Sequence, residues 1–240
     1  MSFLESIAQV SRSTEYPEHL ASDEFQNRAD HVFGITPPEE DRLSWDVATI
    51  SLPERHVADD LLANFWENVH PIFPVLHRPS MTDCYDQLWV ANRGQKPELR
   101  YGGYSKPILH ATLNILLAIG CQYSNTFAPQ RRISMSDLFY QRSKKLISFD
   151  ELDTSSLSIV QLLLLTGIYL QSTTYLDRCW NTIGLALRIA QGLGLHIDKR
   201  ISATESQKQR EMRRRVWYIC VMMDRYTCLP GRRLREMAPC

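Results

Sequence analysis

His70-Pro71-Ile72-Phe73-Pro74-Val75-Leu76-His77-Arg78-Pro79-Ser80-Met81 is too rich in proline for a helix and too apolar for an ordinary loop. Each proline lacks an N–H and pushes the residue before it toward extended backbone. Ile72, Phe73, Val75 and Leu76 are the side chains of a core. The segment is therefore expected to run extended from 70 to 81, with its apolar side chains buried against neighbouring helices.

Upstream, Ser51-Leu52-Pro53-Glu54 reads as a capping box with proline in the first turn. Leu62, Phe65, Trp66 and Val69 follow at helical spacing, and Asp59, Asp60, Asn64 and Glu67 take the other faces. His70-Pro71 ends that helix. Downstream, Thr82 caps a short helix from Asp83 to about Asn92, and Gly94 to Gly103 is a loop. Pro107 opens a helix to about Tyr123 that is apolar nearly all round, which implies central burial. A further helix starts at Ser134 or Ser136 and ends near Phe149, before a polar turn from Asp150 to Ser156.

Leu157 to about Thr173 is the greasiest helix. Its apolar run to Leu170 includes Ser, Gln, Thr and Gly and falls short of the ~20 residues a membrane span needs. Leu176, Trp180, Ile183, Leu187 and Ala190 step by three and four along one face of the next helix. Gly192 and Gly194 suit its C-terminal cap. A charged helix begins near Ser202 or Thr204 and grows apolar through Trp217, Cys220 and Met223. No run alternates like a strand, so the fold class is all-α: an irregular multi-helix domain with one extended proline segment.

Length and composition set the frame. The chain has 240 residues, 44% of them apolar and 22% charged, an ordinary globular balance. Residues 1–50 read as a polar linker or tail, 51–232 as the domain and 233–240 as an atypical terminus. Lys+Arg and Asp+Glu both total 27, so there is no net positive charge to draw the chain onto DNA by itself. Residues 1–20 lack the apolar centre of a signal peptide.

Candidate chemistry is sparse. Cys84, Cys121, Cys179, Cys220, Cys228 and Cys240 lack zinc-ribbon or redox spacing and read as small buried thiols in a reducing compartment. Histidines 70, 77, 110 and 196 make no His-x-x-x-His pair and read as structural, so no metal ligand, cofactor site or catalytic residue is assigned. Gly192-Leu193-Gly194 ends a helix and lacks the third glycine of a dinucleotide loop. Asp137 and Asp150 read as cap or turn residues. Arg210, Arg213, Arg214 and Arg215 read as a solvated helix face partly paired with Glu205 and Glu211, in preference to a phosphate site or an import signal. Asp224-Arg225 follows an apolar stretch, where an unpaired charge is costly, and is expected in a buried or half-buried salt-bridge network. An apolar groove between helices is the remaining ligand possibility, with a filled core the default.

Several segments, in order, resemble the middle homology, or regulatory, domain of fungal zinc-cluster transcription factors, and look like the branch of xylanolytic-type activators. They are Leu61 to Val69 running into His70, Pro71, Phe73, Pro74, His77 and Pro79, then Leu157 to Leu170, then Gly184 to His196 with Arg188, Gly192 and Gly194. Last comes Glu211 through Trp217 to Asp224, Arg225, Gly231 and Arg232. The resemblance implies an all-helical regulatory domain in a nuclear protein that modulates activation and responds to protein partners or a small-molecule effector. It also implies DNA binding through a separate N-terminal module, whose six cysteines hold two zinc ions and which a coiled coil follows. Neither that cysteine spacing nor a heptad run occurs here, so zinc and DNA are expected only in a module outside this chain. Arg233 stands where the family pattern has proline, and the expectation is an incomplete gene model or a truncated paralogue. The alternatives are a stand-alone helical protein-interaction module and, further off, an enzyme or small-ligand carrier.

Overall fold

The computed structural model describes residues 52–91, 103–125, 127–147, 155–197 and 206–227, and every regular element among them is a helix. These residues fall within one compact unit, 37–240. The expectations for residues 1–51, for most of the Gly94–Gly103 loop, for residues 150–154, for Glu205 and for 228–240 lie outside the described residues.

Helix α1 (Arg55–Asn68) buries Ala58, Leu61, Leu62, Phe65 and Trp66. It starts one residue after the anticipated capping box. Glu54 is the N-cap and makes no side-chain capping bond, so Pro53 precedes the helix instead of entering its first turn.

Helix α2 (Arg78–Ala91) takes up the last four residues of the proline segment. This corrects the expected start after Thr82. Pro79 stands in the first turn of α2, where its missing N–H is no loss. His77 provides the start: its carbonyl accepts from the Met81 N–H at 3.1 Å, and its Nδ1 accepts from the Ser80 N–H at 3.3 Å. Residues 69–72 form a turn closed by the Val69 carbonyl, which accepts from the N–H groups of Ile72 and Phe73. Only residues 73–77 run without helix or turn.

Two helices form the centre. In α3 (Lys106–Tyr123), Ser105 caps the start, Pro107 sits in the first turn, and every residue from Ile108 to Cys121 is buried. In α5 (Leu157–Gln171), the Ser156 hydroxyl accepts from the Ile159 N–H, and nearly the whole surface of the helix is buried. A helix apolar all round must be enclosed on all sides. Accordingly, α3 packs on α1, on α4 (Pro129–Lys145) and on α5, and α5 packs also on α6 (Leu176–Gly192) and α7 (Gln207–Thr227).

The α3–α4 pair is antiparallel, and its register is set by hydroxyls. Ser136 donates to the Ala118 carbonyl at 2.7 Å, and Ser143 donates to the Ala111 carbonyl at 2.9 Å. Each pair of positions is two turns apart on its helix. At the α1–α3 crossing, a Cβ on Gly120 would collide with the Leu61 carbonyl, so glycine permits that approach.

Three helix assignments shift. Helix α4 starts at Pro129, several residues before Ser134, because Ala128 offers no polar start signal while Pro129 itself opens the helix. Asp137 is thus an exposed mid-helix residue, not a cap. The inward face of α6 is Cys179, Ile183, Ala186 and Ala190, and Trp180 is 41% exposed. Helix α7 starts at Gln207 behind a capping box absent from the sequence reading. There the Gln209 N–H donates to the Ser206 hydroxyl at 3.3 Å, and the Ser206 N–H donates to the Gln209 side chain at 2.9 Å.

Candidate functional site

Extended backbone inside a helical bundle has carbonyls without helical partners, and burial makes that expensive. Here two consecutive carbonyls are captured by side chains. His70 Nε2 lies 2.9 Å from the Leu76 carbonyl. A carbonyl only accepts, so Nε2 carries the proton. The Gln161 amide donates to the Val75 carbonyl at 2.8 Å, and its own oxygen accepts from the Tyr104 hydroxyl at 3.1 Å. Lys208 of α7 donates to the Ser80 hydroxyl at 3.0 Å. The segment is therefore tied to the end of α1, to α5 and to the start of α7.

Val75, Leu76 and Met81 are the side chains this segment buries, at 0%, 1% and 2% exposure. Phe73 and Pro74 are half-buried, and Pro71 and Pro79 are exposed. Ile72 is 66% exposed, against the expectation of burial, because the turn at 69–72 points it outward. Gln161, Tyr104 and Lys208 were not singled out by sequence. The available signal was a glutamine inside the apolar run of α5, since a buried amide requires partners.

Electrostatics at this node favour a neutral imidazole. His77 Nδ1 lies 2.8 Å from the Ser80 hydroxyl. Burial first, then the charges of Lys208 and Arg215, hold the His77 pKa below its ordinary value, with Asp83 opposing. His110, buried in α3, is likewise held low, by burial and then by Lys106.

A second cluster joins the end of α6 to α7. Gly194 has φ +66°, a left-handed conformation suited to glycine. Its N–H donates to the Gln191 carbonyl at 2.9 Å, and the Leu195 N–H donates to the Ala190 carbonyl at 3.0 Å. This is a Schellman cap with Leu195 buried behind it. Gly192 is the last residue of α6 and Arg188 is exposed on that helix. Arg213 donates to the Leu193 carbonyl at 3.1 Å, tying α7 to the cap. The His196 ring lies against half-buried Trp217, with centroids 5.6 Å apart. A cavity of about 460 Å³ opens between residues 195–197, which follow α6, and α7, lined in part by Arg210, Arg213, Trp217 and Tyr218.

In the basic run Arg210, Arg214 and Arg215 are exposed, while Arg213 is half-buried against the cap. Glu211 pairs with Arg214 at 2.8 Å and Arg215 at 2.7 Å, and those bonds, Arg215 first, hold its carboxyl below the usual range. Asp224 is half-buried, Arg225 is exposed, and neither makes an ion pair among the described residues.

Among the described residues, no group of three or more His, Cys, Asp or Glu is placed to hold a metal ion. Cys84, Cys121, Cys179 and Cys220 are buried, and the Cys179 thiol donates to the Gly167 carbonyl at 3.4 Å. Burial pushes Cys121 and Cys220 up to about 12, far from a thiolate at neutral pH. No described helix is long and apolar enough to cross a membrane.

Both clusters are built from the ordered motifs of the sequence, His70 to Pro79 in one and Gly192 to Trp217 in the other. Residues 62–234 match the fungal specific transcription factor domain. This chain belongs to that family. It is 31% identical over 179 residues to the sorbicillinoid biosynthetic cluster transcription factor sor3 of Hypocrea jecorina, covering 74% of this chain and 26% of that protein. It is 28% identical over 189 residues to sorbicillinoid biosynthetic cluster transcription factor 2 of Penicillium rubens, covering 74% and 25%. It is also 28% identical over 182 residues to the acetamidase regulatory protein of Aspergillus fumigatus, covering 74% and 21%. The chain thus spans about a quarter of the length of these relatives. No solved structure matches it.

Proposed function

We propose that this chain is the regulatory domain of a fungal zinc-cluster transcription regulator, acting in the nucleus through protein contacts and without an enzymatic step of its own. The family match over 62–234 carries this reading. Zinc and direct DNA contact belong to a module outside this chain, in keeping with relatives of which the matched stretch covers only 26% and 25%. The domain is taken to span 51–232.

The roles of the motif residues follow from their surroundings. His70, Pro71, Phe73, Pro74, His77 and Pro79 shape and tie down the extended segment. Gly192 and Gly194 end α6, and Trp217 packs α7 against that end. Arg188, Asp224 and Arg225 face solvent wholly or in part and belong to the surface offered to partners. Polar tips on a rigid helical frame suit recognition, and nothing in either cluster assembles a nucleophile, a base and an oxyanion hole.

Deleting the gene in its source fungus and sequencing the transcripts tests this reading. A defined set of genes is expected to change severalfold. An unchanged transcript profile, under conditions in which the protein is made, would contradict it.

A further inference from the structure

The cavity between residues 195–197, which follow α6, and the start of α7 has a chemistry that the packing of the fold does not require. Its volume, about 460 Å³, lies in the size range of small-molecule sites. Its apolar part is Leu195, buried behind the Schellman cap, and the Trp217 indole. The His196 ring tilts 49° against that indole, which leaves a two-ring aromatic surface.

Its polar part is basic. Arg210, Arg213 and Arg214 line the cavity, and among the described residues lining it the one carboxylate is Glu211. Glu211 is already engaged by Arg214 and by Arg215, which reaches it from outside the lining. Arg213 is oriented by its bond to the Leu193 carbonyl. Arg210 is exposed and makes no ion pair with a described residue. Guanidiniums beside an aromatic floor suit a planar ligand whose rings stack and whose anionic end takes paired N–H donors.

We infer that this cavity binds a small planar aromatic carboxylate, which acts as an effector by bridging residues 195–197 to the first turns of α7. The effector role rests on the regulatory reading above; the binding does not.

Isothermal titration of 2-naphthoate into the full chain tests the site, with 2-naphthamide as the uncharged isostere. One-to-one saturable binding of the carboxylate is expected, with the amide about tenfold weaker. Arg210→Gln, at an exposed position, is expected to weaken 2-naphthoate binding about tenfold while leaving the thermal midpoint unchanged. Arg131→Gln, exposed on α4 and outside the cavity lining, is expected to bind as the wild type does. The inference is overturned by the absence of saturable binding at millimolar ligand, by equal affinity for the amide, or by full affinity in both Arg210→Gln and Arg214→Gln. Those outcomes would leave the transcript result untouched, and an unchanged transcript profile would leave the binding result untouched.

Discussion

Gln161 is the residue on which the extended segment depends most. Its amide satisfies the Val75 carbonyl and the Tyr104 hydroxyl at once. Gln161→Leu removes both bonds and leaves two buried polar groups unpaired. A loss of about 1–3 kcal/mol is expected, measured by denaturant unfolding; an unchanged midpoint would contradict the role assigned to it. The sequence alone points to Phe73→Ala as the damaging change, at about 3–5 kcal/mol. The half-burial of Phe73 lowers that expectation. Leu76→Ala, at a fully buried site, is the costlier substitution at about 2–5 kcal/mol, and the two unfolding midpoints should rank accordingly. His77 and His110 supply a pH signature. Both folded pKa values lie below the unfolded value near 6.5, so both rings take up a proton less readily in the fold than in the unfolded chain. The unfolded chain then binds more protons in the window just below about 6.5, and stability is lost as pH falls through it. Thermal midpoints between pH 5.5 and 7.5 should rise with pH, and His110→Leu should flatten the slope. A slope of opposite sign would refute this.

At the level of elements, the helices read best from sequence were those with a strong period or none to spare. Residues 107–123 and 157–171 are apolar all round, and both proved central. Starts were read less well, because a start depends on one residue's hydrogen bonds. Pro79 looked like a breaker until His77 was seen to open α2 ahead of it. Ala128 gave no signal at all for α4. The inward face of α6 was misjudged by its largest residue: Trp180 matches the period but stands outside, while small Cys179 and Ala186 lie inward. Close packing selected small side chains there, and periodicity cannot weigh size. Two predictions belong at this scale. Gly120→Ala forces α1 away from α3 and should cost about 1–3 kcal/mol or more, against the gain in helix propensity that alanine brings elsewhere. Ser206→Ala breaks the α7 capping box and should cost about 1 kcal/mol. Circular dichroism melts check both, and an alanine that stabilises at 120 would rule out the close α1–α3 approach.

For the whole molecule, the order of weak motifs along the chain was more informative than any one of them. His70 to Pro79, the apolar helix, the Gly192–Gly194 end and Trp217 are distant in sequence, yet they meet in two clusters linked by α7. Lys208 touches the first cluster, and Arg213 and Trp217 build the second. The partners that complete each cluster were not legible, because Gln161, Tyr104 and Lys208 become neighbours only through tertiary packing. A domain in which one helix holds both ends of the motif set is suited to passing a local change across its length. The central claim is that this frame regulates transcription. It is tested by tethering the full chain to a heterologous DNA-binding module upstream of a reporter driven by a constant activator. The wild-type chain is expected to shift reporter output severalfold, and Gln161→Leu, at matched abundance, to lose at least half of that shift. Output indistinguishable from that of the DNA-binding module alone would contradict the account.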